Sequence, residues 1–238
     1  MSNEIVLLAS VLLIYGMLLV WFRLFGESGL IAFTVLTTIT ANIEVLILVK
    51  AFGLEQTLGN VMFASSFLAT DILSELYGKE RAKKAVNIGI ATAITFIVFT
   101  QFWFLYKPAA GDTSMEHLQY IFSTTPRMMT ASLLVFAIAQ KFDVWAYHKW
   151  WNFTEKLCGD RRKYLWVRNN GSTMLSQLLN AVLFTAFAFW GTYDIPTLLS
   201  IAASSYLIFF FTSVADTPMV YLARYLYEQN KISAEKRN

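Results

Sequence analysis

Residues 57–84 read TLGNVMFASSFLATDILSELYGKERAKK. From Thr57 to Tyr77 the stretch is mostly apolar and long enough to cross a bilayer, which takes about 20 residues of helix. It carries two acids, Asp71 and Glu75, and gives way at Gly78 to a charged run containing Lys79, Arg81, Lys83 and Lys84. An acid at mid-bilayer costs on the order of 2.5–3.5 kcal/mol on insertion scales. A chain that places Asp71 there needs a protein interior, a water-filled cavity or a partner to receive it. Asp71 and Glu75 stand four apart and so share one helix face. Asp71 lies one turn deeper and is the better candidate for burial. Glu75 reads equally well as a solvated helix end paired with Arg81 or Lys84.

Outward from this stretch, six more apolar segments recur: Ile5 to Phe22, Leu30 to Val49, Ala85 to Tyr106, Met128 to Tyr147, Ser172 to Trp190, and Ile195 to Ala215. The last is expected to continue as helix to about Tyr227, and Met115 to Ser123 reads as a short amphipathic piece at the interface. The fold class expected is all-α: a polytopic membrane helix bundle of seven transmembrane helices, or six if the first and weakest is discounted. Of the 238 residues 56% are hydrophobic and 15% charged. Soluble domains carry about 25% charged residues, and a single core could not hide this much apolar surface. The chain begins Met1-Ser2-Asn3-Glu4, without a basic region, so the first segment reads as a retained span. No linker divides residues 1–238, which are read as one membrane domain.

Alternating the connections tests this count. One side receives sixteen of the 19 basic residues and the other only Lys50, Lys107 and Arg127. By the positive-inside rule the N-terminus is then outside and the C-terminus cytoplasmic. The net charge of +3 is small and the basic residues form no single patch, which argues against a nucleic-acid partner. With Cys158 the one cysteine, no disulfide forms within the chain, and His117 and His148 lack ligand spacing. No zinc, phosphate-loop or protease motif appears. An enzyme is not expected, nor any metal or cofactor.

Polar groups at membrane depth carry the functional signal. Glu44 and Asn42 lie in the second span, about 200° apart around a helix, so both cannot face one cavity squarely. Thr173, Ser176, Gln177 and Asn180 recur at spacings of three and four and form one polar stripe. In lipid such a stripe faces protein or a cavity. Asn170 or Ser172 is placed to cap that helix. Arg127 follows Pro126 at the start of the fifth span. Asp216-Thr217-Pro218 is expected to interrupt the last one, since Pro218 removes a backbone donor, and interrupted helices line binding sites in carriers. These residues suggest a carrier of a small polar molecule.

Ala69-Thr70-Asp71, Tyr77-Gly78 and Ala82-Lys83-Lys84 resemble the signature of the queuosine precursor transporters, also called the vitamin uptake transporter family. Arg127 with Thr130-Ala131-Ser132, Ala139-Gln140 and Asp143 is similar to the family's next block. Ser176-Gln177 through Asn180 and Phe184, then Asp216-Thr217-Pro218 and Tyr221, resemble its last two. One departure stands out: where many members have Asp-Thr in the sixth span this chain has Asn180-Ala181, which keeps a hydrogen bond and gives up a titratable group. The resemblance implies import of 7-deazaguanine bases, the precursors of queuosine, across a bacterial cytoplasmic membrane. A guanine-like edge offers two adjacent N–H donors to a carboxylate and a carbonyl to an amide. The substrate-binding set expected is Asp71, Arg127, Gln177, Asn180 and Asp216, with Glu75, Glu44, Asn42 and Tyr221 as further candidates. The partners expected are the lipid bilayer and the small-molecule substrate, with self-association left open. The alternative is a substrate-binding membrane subunit for a vitamin or nucleobase that needs a separate energising partner.

Overall fold

The computed structural model describes residues 2–123, 126–160 and 163–235. Helix α1 spans Asn3–Glu44 and breaks at Gly26, whose φ of 59° and ψ of −133° lie outside helical space. The break divides α1 into two helical pieces, 3–25 and 27–44. A hairpin of two antiparallel strands follows, β1 (Leu48–Ala51) and β2 (Leu54–Thr57), paired from Leu48↔Thr57 to Ala51↔Leu54. Its two-residue turn, Phe52-Gly53, has positive φ at both positions, the geometry whose twist matches flanking strands. Then come α2 (Gly59–Tyr77), α3 (Lys79–Trp103), the short α4 (Ser114–Ser123), α5 (Pro126–Cys158), α6 (Leu165–Phe189) and α7 (Ile195–Glu235). Asp112 starts α4 by accepting the backbone N–H groups of Ser114 and Met115, and those bonds hold its carboxyl below the usual carboxylate range.

The residue distribution is that of a membrane protein. Leu8, Leu12, Leu13, Leu24 and Phe25 on α1 stand exposed, while Asp71, Gln140, Asp143, Arg168 and Asp216 are fully buried. Lipid accepts apolar side chains and no unpaired polar ones, so the bundle turns its polar groups inward. Among the described residues, four helices are long and apolar enough to cross a membrane by length and composition: Asn3–Glu44, Lys79–Trp103, Leu165–Phe189 and Ile195–Gln229. The buried apolar core, including Leu18, Phe22, Leu30, Leu68, Ile72 and Val220, joins α1, α2 and α7.

Both bundle ends are defined by contacts. At one, Asn3 Nδ2 donates to Lys50 O and Glu4 Oε1 accepts from Phe52 N–H, fixing the start of α1 to the hairpin. At the other, Arg81 pairs with Glu27 beside the Gly26 break.

Several boundaries differ from those read in the sequence. The second span ends at Glu44, not Val49, because the chain leaves the helix to form the hairpin; the bundle is therefore not purely helical. The third begins at Gly59 rather than Thr57. Helix α5 continues past Tyr147 to Cys158, and α6 starts at Leu165, so Asn170 and Ser172 lie inside it and cap nothing. Helix α7 passes through Pro218 without interruption. Neighbouring α6 supports that point, where Asn170 Nδ2 donates to Thr217 Oγ1 at 2.6 Å.

Gly26 holds a backbone conformation that only glycine adopts without strain. A Cβ there would first meet the Tyr77 hydroxyl at 3.5 Å, an ordinary contact, so the penalty for a side chain is backbone strain, on the order of 1–3 kcal/mol. Gly26→Ala is expected to lower the thermal midpoint of detergent-purified protein. Gly16→Ala, in open space within the same helix, is expected to hold or raise it. Equal midpoints for the two variants would show that the break is not a strained one.

Candidate functional site

The interior polar groups lie in three layers along α2 and α6. Nearest the hairpin is an amide and phenylalanine layer. A cavity of about 30 Å³ there is lined by Asn60, Phe63, Ser132, Asn180, Phe184 and Phe209. A smaller one of about 10 Å³ adjoins it, sharing Phe63 and Ser132 and adding Asn42. The larger is about one water's share of liquid volume, so the bundle is closed around this layer. Asn42 donates its amide to Thr38 O, and its Oδ1 is buried with no donor.

The middle layer begins at Gln140 of α5. Its amide donates to Ser66 Oγ at 2.7 Å and its carbonyl accepts from Thr70 Oγ1 at 3.2 Å, tying α5 to α2. Asn180 Nδ2 approaches Gln177 Oε1 at 3.4 Å on α6. One turn further, Thr173 Oγ1 donates to Asp71 Oδ2 at 2.9 Å and Ser176 Oγ to Asp143 Oδ1 at 2.7 Å. Asp216 of α7 completes the layer, facing Asp143 and the Tyr15 hydroxyl of α1. Asp71, Asp143 and Asp216 are fully buried.

The third layer closes the far end. Arg168 of α6 grips Glu75 through Nε at 2.9 Å and Nη2 at 2.6 Å. Tyr147 of α5 donates to Glu75 Oε2 at 2.8 Å, and Arg224 of α7 reaches Oε1 at 3.4 Å. The Arg168 guanidinium lies 4.4 Å from the Trp151 ring centre, a cation–π contact. Four helices meet at one carboxylate.

The candidates from the sequence divide accordingly. Asp71, Gln177, Asn180 and Asp216 come together in the first two layers, with Asn42 beside the smaller cavity and Glu75 one turn beyond. Glu75 takes Arg168 and Arg224 as partners, not Arg81 or Lys84. Three candidates lie elsewhere. Glu44 is half-buried at the end of α1, in a cleft with Asn3, Ser10 and Met62. Arg127 is exposed and donates to Phe187 O at 2.8 Å and Trp190 O at 2.6 Å, satisfying free carbonyls at the end of α6. Tyr221 points outward at 44% exposure. Helix geometry explains the Arg127 position: the last carbonyls of a helix have no partner within it, and a cation there suits the dipole.

Gln140, Asp143, Tyr15, Tyr147 and Arg168 join the polar interior without having been counted as site candidates. Gln140 and Asp143 carry a signal, two polar residues three apart in an apolar span. Tyr15 carries none.

These layers define a class: a polytopic helical membrane protein whose interior is a stack of polar groups from α1, α2, α5, α6 and α7. The profile of the putative vitamin uptake transporter family matches residues 57–223, and the chain belongs to that family. It is a multi-pass bacterial membrane transporter, not an enzyme. It is 39% identical over 216 residues, 91% of this chain and 92% of the relative, to a "Probable queuosine precursor transporter" of Bacillus subtilis (strain 168). It is 24% identical over 162 residues, 68% of each chain, to the "Queuosine precursor transporter" of Escherichia coli (strain K12). A "Probable queuosine precursor transporter" of Haemophilus influenzae is 23% identical over 66% of this chain and 61% of its own. No solved structure matches.

The third layer generates a stability prediction. Removing one partner of a buried ion pair typically costs about 3–5 kcal/mol, while replacing both by apolar residues is far milder. Arg168→Met is therefore expected to lower the unfolding midpoint strongly, and Glu75→Leu added to it to recover most of the loss. Thermal unfolding in detergent checks this; a double variant no better than the single would show that Glu75 is not the group left exposed to the deficit.

Proposed function

We propose that this protein imports a 7-deazaguanine base, of the kind salvaged for queuosine, across the bacterial cytoplasmic membrane. The observation that carries the reading is the 39% identity, over 91% of this chain, to a relative named for queuosine precursor transport. In this reading seven helical segments cross the membrane: the two pieces of α1, then α2, α3, α5, α6 and α7. The N-terminus and the hairpin face outside and the C-terminus faces the cytoplasm. The asymmetry of basic residues supports that orientation, as does the grouping of Asn3 and Lys50 at one end and Glu27 and Arg81 at the other.

The substrate path runs along the polar faces of α2 and α6. Asn180 and Gln177 supply amides for the base's carbonyl and N–H groups, and Asp71 and Asp216 supply carboxylates for its paired donors. Phe63, Phe184 and Phe209 supply faces for stacking; aromatic stacking on a base is worth about 1–3 kcal/mol in nucleic-acid systems. A cavity of about 30 Å³ cannot hold a bicyclic base, so the closed bundle is one state of a cycle and the helices part to admit the substrate. Arg127, Glu44 and Tyr221 play no part in this path.

Purified protein in liposomes tests the proposal. Saturable uptake of a labelled 7-deazaguanine base is expected, with unlabelled base competing and biotin not. Asp71→Ala should abolish it at unchanged membrane levels, and Asn180→Ala should weaken it through a raised KM. Binding without uptake would instead make the protein a substrate-binding subunit that needs an energising partner. Normal uptake by the Asp71 variant would remove that residue from the path.

A further inference from the structure

The middle layer holds a group that substrate recognition does not require. Asp143 of α5 and Asp71 of α2 are both fully buried, and they take hydroxyls from Ser176 and Thr173, which stand one turn apart on α6, so the two carboxyl groups lie side by side. Each already receives one hydroxyl, from Ser176 and Thr173, and each keeps one oxygen, Asp143 Oδ2 and Asp71 Oδ1, that no N–H or hydroxyl reaches. An ionised carboxylate only accepts hydrogen bonds. Two of them buried side by side therefore need a proton, or they repel as buried like charges.

The surroundings offer only hydroxyls. Asp216 of α7 faces Asp143, and the Tyr15 hydroxyl of α1 stands beside its carboxyl group and within reach of Thr212 O. Asn169, fully buried one turn from Thr173, also keeps an unpartnered Oδ1; its amide nitrogen approaches Thr217, the residue after Asp216. All these unsatisfied atoms are oxygens, so the layer lacks hydrogens or positive charge. The groups facing it are Tyr15 from α1, Ser172, Thr173 and Ser176 from α6, and Asp216 from α7. Along α2 the next charge is Glu75, bound to Arg168, Arg224 and the Tyr147 hydroxyl, so the nearby cations are already engaged. Among the described residues no group of three His, Cys, Asp or Glu side chains is placed to hold a metal ion. The deficit is thus of a kind that a proton meets.

We propose that Asp71 and Asp143 hold one proton between them in the closed bundle, that Asp216 is the next acceptor for it, and that its passage drives uptake. The proton binds when the layer opens to the outside and leaves to cytoplasmic water when it opens inward, so one proton enters for each neutral base. The proton site stands on the buried, unpaired oxygens of these neighbouring acids; its coupling role rests on the proposed transport function.

Two measurements separate these parts. Infrared difference spectra of purified protein at neutral pH should show the carbonyl stretch of a protonated carboxylic acid that shifts in D2O. Asp143→Asn and Asp71→Asn, each able to keep a hydrogen bond in place, should remove it. A wild type without the band, or variants that both retain it, would overturn the site. In liposomes, a gradient of one pH unit, acidic outside, should drive accumulation of the base up to about tenfold. Asp143→Asn should still exchange labelled for unlabelled base but lose accumulation. Wild-type uptake indifferent to the gradient would overturn the coupling. Absence of any base exchange would sink the transport reading instead, and the infrared band would still decide the proton site.

Discussion

Arg168 reaching Glu75 across the interior is the contact on which the closed end of the bundle depends. Neither charge could lie at that depth alone, because desolvating an ion costs several kcal/mol and only a close, fully hydrogen-bonded partner offsets it. The geometry meets that condition, with two guanidinium nitrogens on one carboxylate and Tyr147 as a third donor. The pair fixes α2 against α6 in register. With Glu75 set, Asp71 one turn away is presented to Thr173, and the residues toward the hairpin follow on the same face. Alignment of the polar layers is a consequence of where this pair sits.

Much of this was legible in the chain. Apolar length gave the helices, since hydrocarbon tolerates little else, and the polar stripe from Thr173 to Asn180 showed which face of α6 turns inward. Partnership was not legible. Glu75 stands next to Arg81 and Lys84 in sequence, yet its partners are 93 and 149 residues away, and local spacing cannot report a contact that only tertiary packing makes. Arg127 shows the same limit: a cation at the start of a span reads as a ligand, and nothing near it announces that the end of α6 needs a donor. Glu44 was placed too deep because the apolar run continues past it, although the chain has left the helix for a strand. Asp143 was visible as one of a pair of polar residues in an apolar span, yet nothing near it says that its face of α5 meets Ser176 of α6.

Asn180 in place of an acid gains meaning from the middle layer. The three aspartates already leave that layer short of hydrogens, and a fourth acid one turn away would deepen the shortage. An amide supplies both a donor and an acceptor and takes its place beside the Gln177 carbonyl. The titratable groups are thereby gathered at one depth and the neutral ones at another, separated by about one helical turn.

Helices α5 and α6 are stitched at three heights: by Arg127 to the carbonyls closing α6, by Asp143 with Ser176, and by Tyr147 and Arg168 on a shared carboxylate. Sliding one past the other would break all three at once. Helix α2 is laced to the same pair at three heights of its own: Ser66 and Thr70 with Gln140, Asp71 with Thr173, and Glu75 with Arg168 and Tyr147. Considered as machinery, the three helices are a stator, pinned at every depth of the polar interior.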